Sequence, residues 1–322
     1  MQTVLEIKNL KAYFETKSRV VRAVDGVDLV VKQGETVGIV GESGCGKTAL
    51  SLAIMGLLPT PPAKIISGSI FFEGTDLLSI NNDAMRNIRG GEIAMVFQEP
   101  MSSLNPVISI GEQVAEVLRL HLNMNAKQAR SRTIEIFELV GLSHPAERFN
   151  AYAHQLSGGM RQRVMIAIAI SCQPRLIIAD EPTTALDVTI QAQIMELLSK
   201  IKNDNDTALI LISHDLSLVS QEAQQIAIMY AGRIVETGLA KEVLEYPFHP
   251  YTKGLLNSLP KFEDSTKKDC RLKTIRGVVP QLSEAFIGCA FSNRCEHAID
   301  QCKMSEPCMC EKATGRFVRC WL

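Results

Sequence analysis

From Met1 to about Ile39 apolar and polar residues alternate, and the turn dipeptides Asp25-Gly26 and Gln33-Gly34 interrupt the pattern. A period of two predicts half-buried strands, paired antiparallel across tight turns. Glu35 to Val40 reads as a short buried strand, and Ala49 to Leu57 as a helix with apolar residues at helical spacing. Pro59 to Pro62 and Ser67-Gly68 mark a loop before the strand Ser69–Phe72, and Ile93–Phe97 is a further strand that ends in Gln98. Ile110 to about Gly141 is rich in Glu, Leu and Ala with helical periodicity and reads as a helical insertion. Beyond Ser157 a helix runs through Val164–Ser171. Strand Leu176–Ala179, a helix after Asp187 and strand Ala208–Ile212 follow. Strands that alternate with helices predict a parallel sheet covered by helices. Gly238 to Tyr251 reads as an exit linker, and from about Pro260 the chain is polar, cysteine-rich and almost without periodicity.

The bulk numbers narrow the classes. The chain has 322 residues, 46% hydrophobic and 21% charged, which suits a folded protein with one large domain and a smaller one. A net charge of -1 gives no global field for nucleic acid. The longest apolar run, Val164 to Cys172, is nine residues, too short to span a bilayer. The start, Met1 to Glu6, lacks the basic-then-apolar order of a secretion signal, so a cytoplasmic setting is expected.

Gly41-Glu42-Ser43-Gly44-Cys45-Gly46-Lys47-Thr48 fits the phosphate-cradling pattern G-x-x-x-x-G-K-S/T between a predicted strand and a predicted helix. The glycines let backbone N–H groups point inward, and the helix start adds partial positive charge. Lys47 then reaches the β- and γ-phosphates, and the Thr48 hydroxyl reaches Mg²⁺. A second signature is the apolar strand Leu176-Ile177-Ile178-Ala179 ending in Asp180 and Glu181. Asp180 is placed to hold Mg²⁺, and Glu181, pointing to the opposite side, to take a proton from the attacking water.

The third element, Leu156-Ser157-Gly158-Gly159-Met160-Arg161-Gln162-Arg163, resembles the signature of ATP-binding cassette (ABC) ATPases. Ser157, the amides of Gly158 and Gly159 and a helix N-terminus form an electropositive cap, and the resemblance implies that this cap serves the ATP of a partner subunit. It also implies a Q-loop at Gln98, which ligates Mg²⁺, a dimer-crossing loop at Ala185-Leu186-Asp187, a switch histidine at His214 and an adenine-stacking ring at Phe14 or Tyr13. The stretch Ile178-Ala179-Asp180-Glu181-Pro182-Thr183-Thr184-Ala185-Leu186-Asp187-Val188-Thr189 and His249-Pro250-Tyr251-Thr252 look like the dipeptide/oligopeptide/nickel permease ATPases. Met160 stands where glutamine is usual in the wider family.

Seven of the nine cysteines lie between Cys270 and Cys320. Cys289, Cys295, Cys302 and Cys320, spaced C-x5-C-x6-C-x17-C, resemble the C-terminal extension of these permease ATPases, some of which carry a 4Fe–4S cluster there. Four thiolates suit a cluster or structural zinc, and unmetallated thiols are the remaining reading. Cys270, Cys308 and Cys310 lie outside that pattern.

The resemblance implies an α/β fold, a RecA-like P-loop NTPase core with an antiparallel β subdomain, a helical signature subdomain at about 99–165 and a small cysteine-rich C-terminal extension. The cassette would occupy 1–240 and the extension 241–322. It implies an ATP hydrolase that powers import of di- or oligopeptides, or of nickel. Its partners would be a second, related ATPase in a heterodimer, two transmembrane permease subunits and, indirectly, an extracytoplasmic solute-binding protein, at the cytoplasmic face of the plasma membrane. A soluble ABC ATPase acting on nucleic acid or ribosomes is the competing class, and it would show a basic surface, a long coiled coil or two fused cassettes.

Overall fold

The structure is a computed structural model and describes residues 2–16, 19–184, 186–258, 274–283 and 286–322. In chain order come β1 (Thr3–Glu15), β2 (Val20–Lys32), β3 (Thr36–Val40), α1 (Lys47–Ile54), β4 (Ala63–Phe72), β5 (Thr75–Asp76), α2 (Asn82–Ile88) and β6 (Ile93–Val96). Next are α3 (Pro100–Ser103), α4 (Ile110–Leu122), α5 (Ala126–Leu139), α6 (Pro145–Arg148), α7 (Gly158–Ile170), β7 (Leu176–Asp180) and α8 (Val188–Asn205). The chain ends with β8 (Ala208–Ser213), α9 (Leu216–Glu222), β9 (Gln225–Tyr230), β10 (Arg233–Leu239), α10 (Ala240–Glu245), α11 (Pro250–Asn257), α12 (Asp300–Met304), β11 (Cys310–Ala313) and β12 (Arg316–Val318).

These elements form two units, one built mainly on Phe72–Ile212 and the other on Leu5–Val30, Thr36–Phe71 and Ser213–Leu322. In the first, β6, β7 and β8 lie parallel, with Val96 opposite Ala179 and Asp180 opposite Ile212. Their unbroken apolar runs are those of strands buried on both faces. The helical insertion is two helices. Asn123 takes a left-handed φ of 53° and ends α4, and Asn125 with Gln128 forms a capping box that starts α5. α7 buries Val164, Met165, Ile166, Ala167, Ala169 and Ile170 and touches α4, α5 and β6. Its second half, Val164–Ile170, is apolar almost all round because packing covers it, whereas its first turns carry Arg161, Gln162 and Arg163.

In the second unit the strands β2, β1 and β4 lie side by side in that order. β4 continues through Ser67-Gly68, where a loop was expected. Gly68 has φ +99°, and a Cβ there would sit 2.6 Å from the Asn9 carbonyl oxygen, so this glycine marks a close approach to β1. β3 runs parallel to β9, β9 pairs antiparallel with β10, and β12 joins β10 with Val318 opposite Glu236. The expected exit linker at Gly238–Tyr251 is instead α10 and the start of α11, anchored by buried Val243 and Tyr251. Among the described residues no helix is long and apolar enough to cross a membrane.

Candidate active site

Glycine at two positions shapes the phosphate loop between β3 and α1. A Cβ on Gly41 would lie 2.1 Å from the Met229 carbonyl oxygen, and one on Gly46 would lie 2.0 Å from that of Ala23. Gly46 also has φ +108°, a region that other residues avoid, and it is the N-cap of α1 with no side-chain cap. The first turn of α1 therefore offers its N–H groups and its dipole to an anion. Ser43 and Gly44 form the exposed rim of the loop. The Cys45 side chain is buried, its thiol pushed up by that burial, and its carbonyl accepts the Gly232 N–H at 2.8 Å.

Lys47 is 5% exposed, and its ammonium donates to the carbonyls of Gly41 at 2.8 Å and Glu42 at 3.1 Å. The loop thus seats its own cation. Thr48 follows on the first turn of α1. In the same unit His214 is exposed just past the end of β8. Ser213 Oγ accepts the Asp215 N–H at 2.9 Å, and Asp215 caps α9 through Ser217 and Leu218, so both neighbours of His214 are fixed. Of the two candidate adenine-stacking rings, Tyr13 donates its hydroxyl to Asp25 at 2.8 Å and is pushed up to about 12, by burial first. Phe14 lies on the other side of β1, with Leu10 and Ala12.

The first unit carries the acidic residues. Asp180 ends β7 and is 1% exposed. Glu181 leaves the strand with a left-handed φ of 47°, its N–H donating to Ile212 at 2.9 Å. Its Oε2 accepts from Gln98 Nε2 at 3.0 Å and from the Thr184 hydroxyl at 2.9 Å. Gln98 and Glu181 are thereby brought together, and neither Thr184 nor the kink is visible from the apolar strand pattern. The signature loop is exposed at Ser157 and Gly158. The Ser157 hydroxyl accepts the Met160 N–H at 3.4 Å and caps α7. A Cβ on Gly159 would meet Ile190 at 3.0 Å. Asp187 caps α8 by accepting from Ile190 at 2.9 Å, and Ala185 lies outside the described residues.

In one unit a lysine is seated in a glycine cradle at a helix start that has no side-chain cap, and in the other a buried strand-end acid is followed by a fixed carboxylate; each is a feature of phosphate-handling P-loop ATPases. The comparisons with known proteins agree. Residues 24–184 match the ABC transporter family, and residues 235–302 match the oligopeptide/dipeptide transporter C-terminal region. The chain is 49% identical over 322 residues to the oligopeptide transport ATP-binding protein AppD of Bacillus subtilis, covering all of this chain and 97% of that one. It is 48% identical over 317 residues to the dipeptide transport ATP-binding protein DppD of Escherichia coli, covering 98% and 96%. Among solved structures, the dimeric ATP-binding cassette MJ0796 in a post-hydrolysis state with ADP and Pi is 28% identical at a TM-score of 0.66, covering 73% of this chain and 98% of that one. The chain belongs to the ABC transporter ATP-binding proteins, in the branch that carries the oligopeptide/dipeptide C-terminal region.

The expected 4Fe–4S cluster, or zinc, on Cys289, Cys295, Cys302 and Cys320 is overturned. Among the described residues no group of three or more His, Cys, Asp or Glu is placed to hold a metal ion, and the relatives are named simply as ATP-binding proteins. Cys289 does lie near the other three, and its N–H donates to the Cys302 carbonyl at 2.7 Å. Burial pushes the Cys289 thiol up to about 11 and raises that of Cys295. The eight described cysteines are free. Cys308 and Cys310 place their sulfurs 3.0 Å apart on the surface, and Cys270 lies outside the described residues.

Proposed function

We propose that this chain is the ATP-hydrolysing subunit that powers import of di- and oligopeptides through an ABC transporter. The observation that carries the reading is Glu181, a strained strand-end residue whose carboxylate is fixed by Gln98 and Thr184 in a chain that also bears the Lys47 cradle. Peptide is preferred to nickel as cargo because the relatives are named for oligopeptide and dipeptide transport. A net charge of -1 gives the competing nucleic-acid or ribosome-bound class no general attraction to phosphate backbones.

The amides from Gly41 through Ser43, Gly44, Cys45 and Gly46 would wrap the β-phosphate, with Lys47 reaching the γ-phosphate. Thr48, Asp180 and Gln98 are oxygen donors of the kind Mg²⁺ takes, and the ion when bound would offset charge on the β- and γ-phosphate oxygens. Phe14, or Tyr13, offers a ring to the adenine. Glu181 would take the proton of the in-line water, and His214 would donate to the γ-phosphate. Ser157, Gly158, Gly159 and Asp187 would face the nucleotide held by a second, related ATPase in a heterodimer.

In this reading residues 1–240 form the cassette and 241–322 the extension. Two transmembrane permease subunits, supplied by an extracytoplasmic binding protein, would anchor the chain peripherally at the cytoplasmic face of the membrane. The test is Glu181→Gln in the assembled complex. Hydrolysis should fall by about 10²–10⁴-fold while ATP binding persists. Hydrolysis at the normal rate would remove Glu181 from the chemistry.

A further inference from the structure

One residue of the phosphate loop is gripped from far along the chain. The Glu42 N–H donates to the Tyr251 hydroxyl at 3.0 Å, and its two carboxylate oxygens accept from the two terminal nitrogens of Arg294 at 2.6 and 3.0 Å. This is a fork-to-fork pair, the strongest geometry open to a carboxylate and a guanidinium. The Arg294 side chain is 5% exposed, its Nε–H donates to the Arg276 carbonyl at 3.0 Å, and it lies over the rings of Tyr230 and Phe291. Those rings and Tyr251 form one cluster, with centroids 4.6 to 5.4 Å apart. The grip leads straight to the phosphate-binding cation, because the Glu42 carbonyl is one of the two that seat Lys47.

Charge makes the contact more than a brace. Glu42 places a carboxylate in a loop shaped to receive a polyanion, and an unpaired carboxylate there would repel the triphosphate. We propose that Arg294, aided by the Tyr251 hydroxyl, is a positioning residue for nucleotide binding: it neutralises Glu42 and holds the loop in its phosphate-accepting shape. The C-terminal region thereby becomes a determinant of ATP affinity. The proposal rests on the reading of Gly41–Thr48 as the nucleotide site.

The test titrates a fluorescent ATP analogue with Mg²⁺ into the full-length chain and measures the ATP KM and kcat of the assembled complex. Arg294→Gln should weaken binding about tenfold and raise KM to match, with kcat within about twofold, and the deficit should shrink at high salt. The double variant with Glu42→Gln should recover most of the lost affinity, because the repelling charge is gone. Tyr251→Phe should cost a few-fold. Wild-type affinity in Arg294→Gln overturns the proposal. A double variant no better than Arg294→Gln also overturns it, since a purely mechanical brace gives that result. If Arg294→Gln does not fold, Arg294→Lys decides: it keeps the charge and loses the fork, so it should bind less than tenfold more weakly than wild type, and a loss equal to that of Lys47→Ala overturns the proposal. Lys47→Ala is also the control for the site. If it binds as wild type, the site reading fails; if it alone loses binding, only the present inference fails.

Discussion

Gly44 and Gly46 stand two residues apart in the phosphate loop, yet they should respond very differently to one methyl group. Both have positive φ, +78° and +108°. At Gly44 a Cβ meets nothing within 4 Å, so Gly44→Ala carries only the left-handed backbone cost of about 1–2 kcal/mol. At Gly46 the same Cβ lands 2.0 Å from the Ala23 carbonyl oxygen and 2.9 Å from Met229 Cε. Ala23 belongs to β2, whose next strand residue but one, Asp25, donates its N–H to Gly232 at 2.8 Å, so the strand is held and the loop must move. Ordinary van der Waals contact requires a displacement of about 1 Å, enough to spoil hydrogen bonds that demand about 2.7–2.9 Å.

Losing two amide contacts to a phosphate at about 1.5–3 kcal/mol each predicts a 10²–10⁴-fold loss of affinity in Gly46→Ala, to about that order. Gly44→Ala should lose no more than about tenfold. Binding is read by titrating a fluorescent ATP analogue with Mg²⁺ against the full-length chain, and a thermal melt checks that each variant is folded. Gly46→Ala binding within threefold of wild type would refute the steric argument, as would Gly44→Ala suffering equally.

Two further outcomes follow from single side chains. His249 caps α11 by accepting the Tyr251 N–H on Nδ1, and burial pushes it from 6.5 down to about 4, with Lys253 adding a smaller push in the same direction. Glu236, which accepts the His249 N–H, lies on the adjoining β10. The unfolded chain takes up the proton first, so stability is intact above pH 6.5 and falls as the pH drops towards 4, by about 2 kcal/mol at pH 5 and about 3 kcal/mol at pH 4. Urea unfolding across that range should show the slope, and His249→Asn, which keeps a capping oxygen, should flatten it. Thr184→Val removes a hydrogen bond to Glu181 Oε2, so kcat should fall by about three- to tenfold at constant KM, and an unchanged kcat would strip Thr184 of any part in aiming the carboxylate.

What could be read from the chain was whatever depends on neighbours in sequence. The strands β6, β7 and β8 declared themselves as unbroken apolar runs, and the phosphate loop as glycines at fixed spacing before a lysine. The segment at Gly238–Tyr251 did not, because α10 is six residues long, less than two turns, and its apolar residues repeat too few times to show a period. β12 is three residues and owes its place to pairing with β10, not to its own pattern. Gly68 looked like punctuation because a glycine that permits a close approach to β1 is indistinguishable, in one sequence, from one that permits a turn. The pairing of Glu42 with Arg294 spans 252 positions and leaves no local trace. The cysteine spacing misled in the opposite direction, since it matched a metal pattern while no group of three or more metal-ligating side chains is placed for an ion among the described residues.

Glu181 shows why the acidic pair could be found while its geometry could not. Strand alternation places Asp180 and Glu181 on opposite faces, and that expectation assumes the strand continues. It does not: the φ of 47° at Glu181 breaks the alternation one residue after Asp180 and delivers the carboxylate to Gln98 and Thr184. A left-handed non-glycine residue costs on the order of 1–3 kcal/mol, and glycine would avoid nearly all of it. Glycine, however, carries no carboxylate. The conformation persists because the Glu181 N–H is held by Ile212 and its side chain by two donors, so the surrounding bonds offset the strain. The strain explains how the carboxylate is aimed, and Glu181→Gln in the assembled complex tests whether that aim serves hydrolysis.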